Sequence, residues 1–403
     1  EHTVHFDADP MGGDGDDASY YGVMEAYGAL VGGDEDGADT RGSRPADPGE
    51  QPGSYARGHL VSGGVMVGWH EDGDDLDAMR AHERALGKRM AVVRLYEQWG
   101  PPGTKVDEAV AEGRLAVVSH KPPPEIGWVR IAAGLEDAMI HALAEAYRAY
   151  GRDVVFVFHH EPHDDAIDLN QEGAYGLSGN FVAAFRRIHD VFVADGAHVS
   201  AGGNVSFGYS ATTPWVLEGD PAGVGDDLYP GEGYVDVLAH DRYNWFSCRD
   251  DAWEEFSANW APIVAVAARQ RKPLIIGEFG SAPGGGRRNE WFAKAAAWMK
   301  SDPDARRWLI GFAYYHSHHD TCRWDFMNQG DDGRRGWAQA FGDDPYFLGS
   351  PFPLARPEPV APGLPVLVPL PLPLPDAVLP EPPMSPSRFA VPETQKRDQK
   401  TSG

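Results

Sequence analysis

Apolar residues along the middle of the chain follow two rhythms. Short, nearly continuous apolar runs occur at "GGVMVGW" (63–69), "MAVVRLY" (90–96), "RLAVVSH" (114–120) and "DVVFVFHH" (153–160). They continue at "HVSAGGNVSF" (198–207), "VDVLAHDRY" (235–243), "PLIIGEFG" (273–280) and "LIGFAYYH" (309–316). Between most of these runs, apolar residues recur three and four apart, as on one face of a helix. Examples are "GLEDAMIHALAEAYRAYG", which stops at Gly151, "NFVAAFRRIHDVFVADG" and "RNEWFAKAAAWMKS". Runs without polar alternation predict parallel strands covered on both faces. Eight such strands alternating with helices predict an α/β fold, a (β/α)8 TIM barrel, over 59–345. An open doubly wound sheet is the alternative, and it normally carries a Gly-rich phosphate turn after its first strand. In "GGVMVGWHEDGDD" the glycines precede the strand and acids follow it.

The flanks lack both rhythms. Residues 1–58 are rich in Gly, Asp and Pro and predict a largely disordered, acidic, low-complexity N-terminal extension, with a short helix at "ASYYGVMEAYGAL". Residues 346–403 contain "PGLPVLVPLPLPLPDAVLPEPP", where proline excludes helix and central strand. A flexible Pro-rich tail is expected there, and neither flank is expected to take part in chemistry. No stretch of 18 uninterrupted apolar residues suggests a membrane span. The first residues, "EHTVHFDADPMGGDGDD", lack the basic start and apolar run of a signal peptide.

Composition narrows the partners. The 403-residue chain has a hydrophobic content of 42%, ample for a large core, and a net charge of -26. That charge, with a sequence pI near 4.9, excludes nucleic acid and anionic membrane surfaces as natural partners. A neutral polysaccharide or oligosaccharide is compatible with it. A monomer without cofactor, secreted or at the cell surface, is expected.

The active site of such a barrel lies at the C-terminal strand ends. Strand two passes Arg94 and Tyr96 and reaches Trp99, and strand three ends at His120, with Trp128 in the following loop. Strand four ends at His159, His160 and Glu161, and strand six at Asp241, Tyr243, Asn244 and Trp245. Strand seven ends at Glu278, and strand eight carries Tyr314, Tyr315 and His316, with Trp324 close after. Glu161 and Glu278 each terminate a strong apolar strand. Two glutamates across a barrel mouth suit glycoside hydrolysis, one protonating the leaving oxygen and the other attacking the anomeric carbon, at the ~5 Å separation that retention requires. The competing reading is a buried ion pair, such as Glu278 with Arg94.

"FHHEP" after one strand and "PLIIGEFG" after another resemble the clan A glycoside hydrolases. Most of that clan has Asn before the acid/base glutamate. Glycoside hydrolase family 26, the family of β-mannanases and relatives, has His, as this chain has His160. The resemblance implies Glu161 as acid/base, Glu278 as nucleophile and His160 as a partner near the substrate's 2-hydroxyl. It implies Tyr243 in "HDRYNW" as the residue that orients the nucleophile. Arg94 and His120 match the strand-two arginine and strand-three histidine, and Trp245 and Trp324 become candidate sugar contacts. Two departures bear on the substrate. The clan often sets a Trp directly on strand eight, where "AYYHSHHDTCRWDF" displaces Trp324 into the loop or leaves Tyr315 in its place. "SAGGNVSFGYS" also lacks the tryptophan-rich segment expected of a mannanase. Another β-glycan, or a cell-wall glycan, therefore stands beside mannan.

Other signals point elsewhere. His159, His160 and His163 beside Glu161, and His316, His318, His319 and Asp320 near strand eight, raise a metal-dependent hydrolase. "HHEPH" lacks the helical i, i+4 spacing, however, and Pro162 breaks any helix there. Strand one offers only His70 in "GWHED", and no metal is expected. A non-catalytic carbohydrate-binding barrel would keep the aromatics but needs no carboxylate pair. Trp69, Trp99, Trp128, Trp245 and Trp324 all follow strands and are either sugar platforms or core. Cys248 and Cys322 fall on loops of the same face, either as a disulfide that would suit secretion or as separate thiols.

Overall fold

The computed structural model describes residues 64–170, 173–212, 228–249, 252–283, 287–318, 322–327 and 333–350. The expected N-terminal extension and nearly all of the Pro-rich tail lie outside the described residues. Eight parallel strands close on themselves: β1 (Val65–Glu71), β2 (Val92–Gln98), β3 (Leu115–Lys121), β4 (Val154–Phe158), β5 (Val205–Ala211), β6 (Val237–Asn244), β7 (Leu274–Ser281) and β8 (Leu309–His316). Each pairs with the next, and β1 pairs with both β2 and β8. A two-residue strand, β9 (Phe347–Leu348), adds to the start of β1.

Helices fill the crossovers: α1 (Leu76–Leu86), α2 (Thr104–Ala111), α3 (Gly127–Ala132), α4 (Asp137–Ala149), α5 (Pro162–Asp165) and α6 (Ser178–Ala194) come first. After β6 come α7 (Phe256–Gln270), α8 (Arg288–Ser301), α9 (Pro303–Trp308) and α10 (Gly333–Trp337). α1 starts where Asp75 accepts from the N–H groups of Asp77 and Ala78 and stops at Gly87, whose φ of 70° favours glycine. The fold is the predicted barrel.

Strand alternation sorts the core into two layers. Val92, Val117, Val155, Val157, Ala239, Ile275 and Ala313 point inward and pack together. Their neighbours Val93, Val118, Phe156, Leu238, Ile276 and Phe312 point outward into the larger core under the helices. By the same period of two, the inward face continues from Val92 to Arg94 and Tyr96, from Val117 to Ser119, and from Ala239 to Asp241 and Tyr243.

β7 would break this pattern, because Ile276 and Glu278 share parity. A register shift corrects it: Ile276 pairs with His240 but Glu278 with Asp241, leaving Gly277 as a bulge. A Cβ on Gly277 would stand 2.5 Å from Asp241 Oδ1, so glycine is needed there.

Strand five differs from expectation. Only its last three predicted residues are strand, and Val199–Ala201 forms a turn of 3-10 helix. Gly202 has φ 85°, and a Cβ on Gly203 would meet Ala197 O at 2.1 Å, so "GGN" is a tight turn feeding β5.

Candidate active site

A cavity of about 560 Å³ opens at the C-terminal strand ends. Glu161, Asp241 and Glu278 reach it from β4, β6 and β7, with Tyr96, His160, Tyr243, Trp245, Tyr315 and Trp324 around them. Arg94 lies beneath, fully buried, 4.8 Å from the Tyr96 ring centre and 3.8 Å from Glu278.

Glu278 is buried and accepts on both oxygens. The Tyr243 hydroxyl donates to Oε2 at 2.5 Å, and the Tyr96 hydroxyl donates to Oε1. Burial and then the Glu278 charge push both tyrosines well above their ordinary range, so both stay protonated donors. Burial works against the Arg94 charge, but its neighbours Tyr96, Asp241 and Glu278 more than restore it.

Glu161 follows β4 in the left-handed region, with φ 52°. Burial, then the charges of Glu278, Asp241 and Asp164, hold its carboxyl well above the usual range. Asp241 is raised too, by burial and then by Glu278, although the Ser210 hydroxyl donates to it at 2.6 Å. His160 is held neutral by burial and then by Arg94. Ser119 Oγ lies 2.8 Å from His160 Nδ1 and accepts from the His160 backbone N–H at 3.4 Å. With Ser119 donating to Nδ1, the His160 proton sits on Nε2, where it can donate.

Of the eight candidate residues, the structure gathers seven. Glu161, Glu278, His160, Tyr243, Trp245 and Trp324 line the cavity, with Arg94 below them. His120 is not brought there. It shares parity with Val118 and faces the helix layer, where its Nε2 pairs with the Tyr147 hydroxyl at 2.6 Å and its ring stacks on Phe156. Ser119 takes the inward place.

Trp69 and Trp128 are fully buried, the latter donating to His159 Nδ1 at 3.0 Å. Trp324 is only 1% exposed and wedges between Tyr243 and Trp245, where a Cβ on Gly280 would touch its ring at 2.9 Å. Arg249 covers one face of Trp245 at 3.6 Å, which leaves that face closed to a sugar.

Cys248 and Cys322 are joined, tying the loop after β6 to the loop after β8 in the same cluster as Trp324. Sequence reading passed over Tyr96, Ser119, Ser210 and Asp241 as functional partners. The signal for Tyr96 is its position two residues beyond Arg94 on the same strand face.

Among the described residues, Glu71, His82 and His316 form a set whose donor atoms lie within 4.8 Å of one another. His319 and Asp320 lie outside the described residues. His316 Nε2 already accepts the Phe326 and Met327 N–H groups at 3.1 and 3.2 Å, so its proton sits on Nδ1, facing Glu71 at 3.0 Å. A metal on Nδ1 would have to displace that proton and leave an imidazolate. The set fits hydrogen bonds better than an ion. Burial raises Glu71, but hydrogen bonds from His316 and His82 bring it to about 2.

No family model matches the chain. It is similar to endoglucanase H of Acetivibrio thermocellus, 24% identical over 277 residues, which are 66% of this chain and 29% of that protein. The chain thus spans under a third of that relative's length. Among solved structures it is similar to a modular endo-β-1,4-mannanase from Cellulomonas fimi, described with the glycoside hydrolase family 26 mannanases. That match has 20% identity and a TM-score of 0.47, over 71% of this chain and 72% of the other. It is also similar to the catalytic domain of the family 26 endo-β-1,4-mannanase of Bacillus sp. JAMB-750, at 15% identity and a TM-score of 0.48, over 71% and 88%. No helix among the described residues is long and apolar enough to cross a membrane.

Proposed function

We propose that this chain is a retaining glycoside hydrolase of the family 26 kind, cleaving a β-linked polysaccharide such as β-mannan or a related β-glycan. The observation that carries the reading is the pair of carboxyls from β4 and β7 in one cavity, set in opposite environments. Glu278 accepts two tyrosine hydroxyls beside Arg94, and Glu161 is held protonated by burial and the neighbouring negative charge. Environments that differ in this way support Glu161 as the acid and Glu278 as the nucleophile.

Glu278 attacks the anomeric carbon while Glu161 gives its proton to the departing glycosidic oxygen. The ester that forms cancels the Glu278 charge, and with it one of the influences that kept Glu161 protonated. Glu161 then takes a proton from water, and the hydroxide equivalent opens the ester with net retention. Tyr96 and Tyr243 fix the nucleophile's two oxygens, and His160 Nε2–H is placed to bond a sugar hydroxyl. Tyr315 and the uncovered part of Trp245 suit contact with a pyranose, with Trp324 packed behind them.

The Cys248–Cys322 bond supports a secreted or cell-surface location, since such bonds persist in oxidising compartments. The cavity lies within one chain, and a monomer suffices for the reaction.

The test is hydrolysis of a panel of β-mannans, β-glucans, xylans and cell-wall glycans by wild type, Glu161→Ala and Glu278→Ala. Cleavage of one glycan by wild type alone names the substrate. Binding without cleavage would make the barrel a carbohydrate-binding module and end the catalytic reading.

A further inference from the structure

β4 ends at Phe158, and the chain then makes a turn that ordinary side chains disfavour. His159 has φ 47° and Glu161 has φ 52°, on either side of His160. Non-glycine residues in the left-handed region are strained and persist only where their surroundings over-determine them. The backbone is held on both sides: the His159 N–H donates to His120 O of β3 at 2.9 Å, and the Glu161 N–H to Ser210 O of β5 at 3.3 Å.

The side chains hold it more tightly. His159 is fully buried and fixed at both ring nitrogens. Nδ1 accepts from Trp128 Nε1 at 3.0 Å, and Nε2–H donates to Asp165 Oδ2 at 2.7 Å. Asp165 closes α5, four residues after Glu161, and also accepts from Lys121 Nζ of β3 at 2.6 Å. Residues 159 to 165 therefore form a ring closed by their own first and last side chains, with Glu161 inside it. Trp128, His159, Asp165 and Lys121 are not among the residues lining the cavity.

We propose that the Trp128–His159–Asp165–Lys121 hydrogen-bond chain is a positioning device for Glu161, holding the strained turn so that the carboxyl is aimed at the leaving oxygen. The proposal rests on Glu161 being the acid/base. Its consequence is selective. A leaving group stable as an anion does not need the proton, whereas a sugar alkoxide does. Misplacing the acid therefore slows cleavage of a glycosidic bond between sugars and spares an activated aryl glycoside.

The experiment compares kcat/KM of wild type, Asp165→Ala, Asp165→Asn and Lys121→Ala on two substrates. One is an oligosaccharide that wild type cleaves, and the other is the 2,4-dinitrophenyl glycoside of the same sugar. Tm is followed in parallel. Asp165→Ala should lose about 10- to 100-fold on the oligosaccharide, the loss that a displacement near 1 Å produces, with little change on the aryl glycoside. Asp165→Asn keeps an acceptor for His159 and should fall between wild type and Asp165→Ala, and Lys121→Ala should lose least. Equal losses on both substrates would reduce the chain to a fold-stabilising role, and no loss on either would also overturn the proposal. Failure of wild type to cleave any oligosaccharide would instead bring down the hydrolase reading on which the proposal rests.

Discussion

Removing one hydroxyl from the nucleophile's cradle is the sharpest perturbation this geometry offers. Tyr243→Phe deletes the donor that sits 2.5 Å from Glu278 Oε2 and leaves the ring. That ring packs on Trp324, Trp245 and Tyr315, with centroids 4.7, 5.5 and 5.9 Å away, and phenylalanine keeps all three contacts. A hydrogen bond to a charged group contributes about 1.5–3 kcal/mol. At 1.36 kcal/mol per tenfold in rate, kcat/KM should fall about 10- to 150-fold if the full bond is used to hold Glu278 for attack. KM should change little, because the hydroxyl is engaged by the enzyme's own carboxylate.

Tyr96→Phe should behave alike through Oε1. The two losses should not add, since both hydroxyls serve one carboxylate. The assay is steady-state hydrolysis of the glycan identified by the panel, with Tm recorded to show that the barrel is intact. A Tyr243→Phe enzyme within about threefold of wild type in kcat/KM, a cost of well under 1 kcal/mol, would refute the cradle.

Three further outcomes follow from the same site. Glu161 must be protonated to act as acid, and burial with the Glu278 and Asp241 charges raises it. Activity should therefore persist above the ordinary glutamate pKa of about 4.3 and fall only as pH rises through the raised value; an alkaline limb of kcat/KM at the ordinary value would contradict this. The Cys248–Cys322 bond spans a sequence separation of 74. Replacing both cysteines by serine should cost about 4 kcal/mol by the loop-entropy account, read by urea denaturation, and should raise KM by loosening the Trp245–Trp324 wall. Exhaustive treatment with a chelator should leave the hydrolysis rate unchanged, because the Glu71–His82–His316 set is saturated by hydrogen bonds.

Much of the barrel was legible because its strands are apolar on both faces, and a run such as "VVFVF" has few other uses. The strand ends were legible for the same reason: a carboxyl closing such a run is conspicuous, and Glu161 and Glu278 both do so. What the linear pattern hid was orientation. Simple alternation would have turned Glu278 outward with Ile276, and only the bulge at Gly277 turns it in. Alternation applied to Val118 would have turned His120 outward, as the structure does, but the resemblance drew it toward the substrate instead. The strand expected at 198–207 was misplaced because valines flank a glycine turn, and a short apolar run does not distinguish turn from strand. Ser119 and Ser210 carry no signal of their own. Each acquires a role only through the His160 ring and the Asp241 carboxyl that the fold sets beside it.

The most direct test of the two-glutamate account is covalent trapping. Wild type would be incubated with an activated 2-deoxy-2-fluoro β-glycoside of the sugar it cleaves, then digested and analysed by mass spectrometry. The account predicts one fluoroglycosyl group per chain, esterified to Glu278, and none on Glu278→Ala. A label on a different residue, or an active enzyme that takes up no label and releases product of inverted configuration, would contradict it.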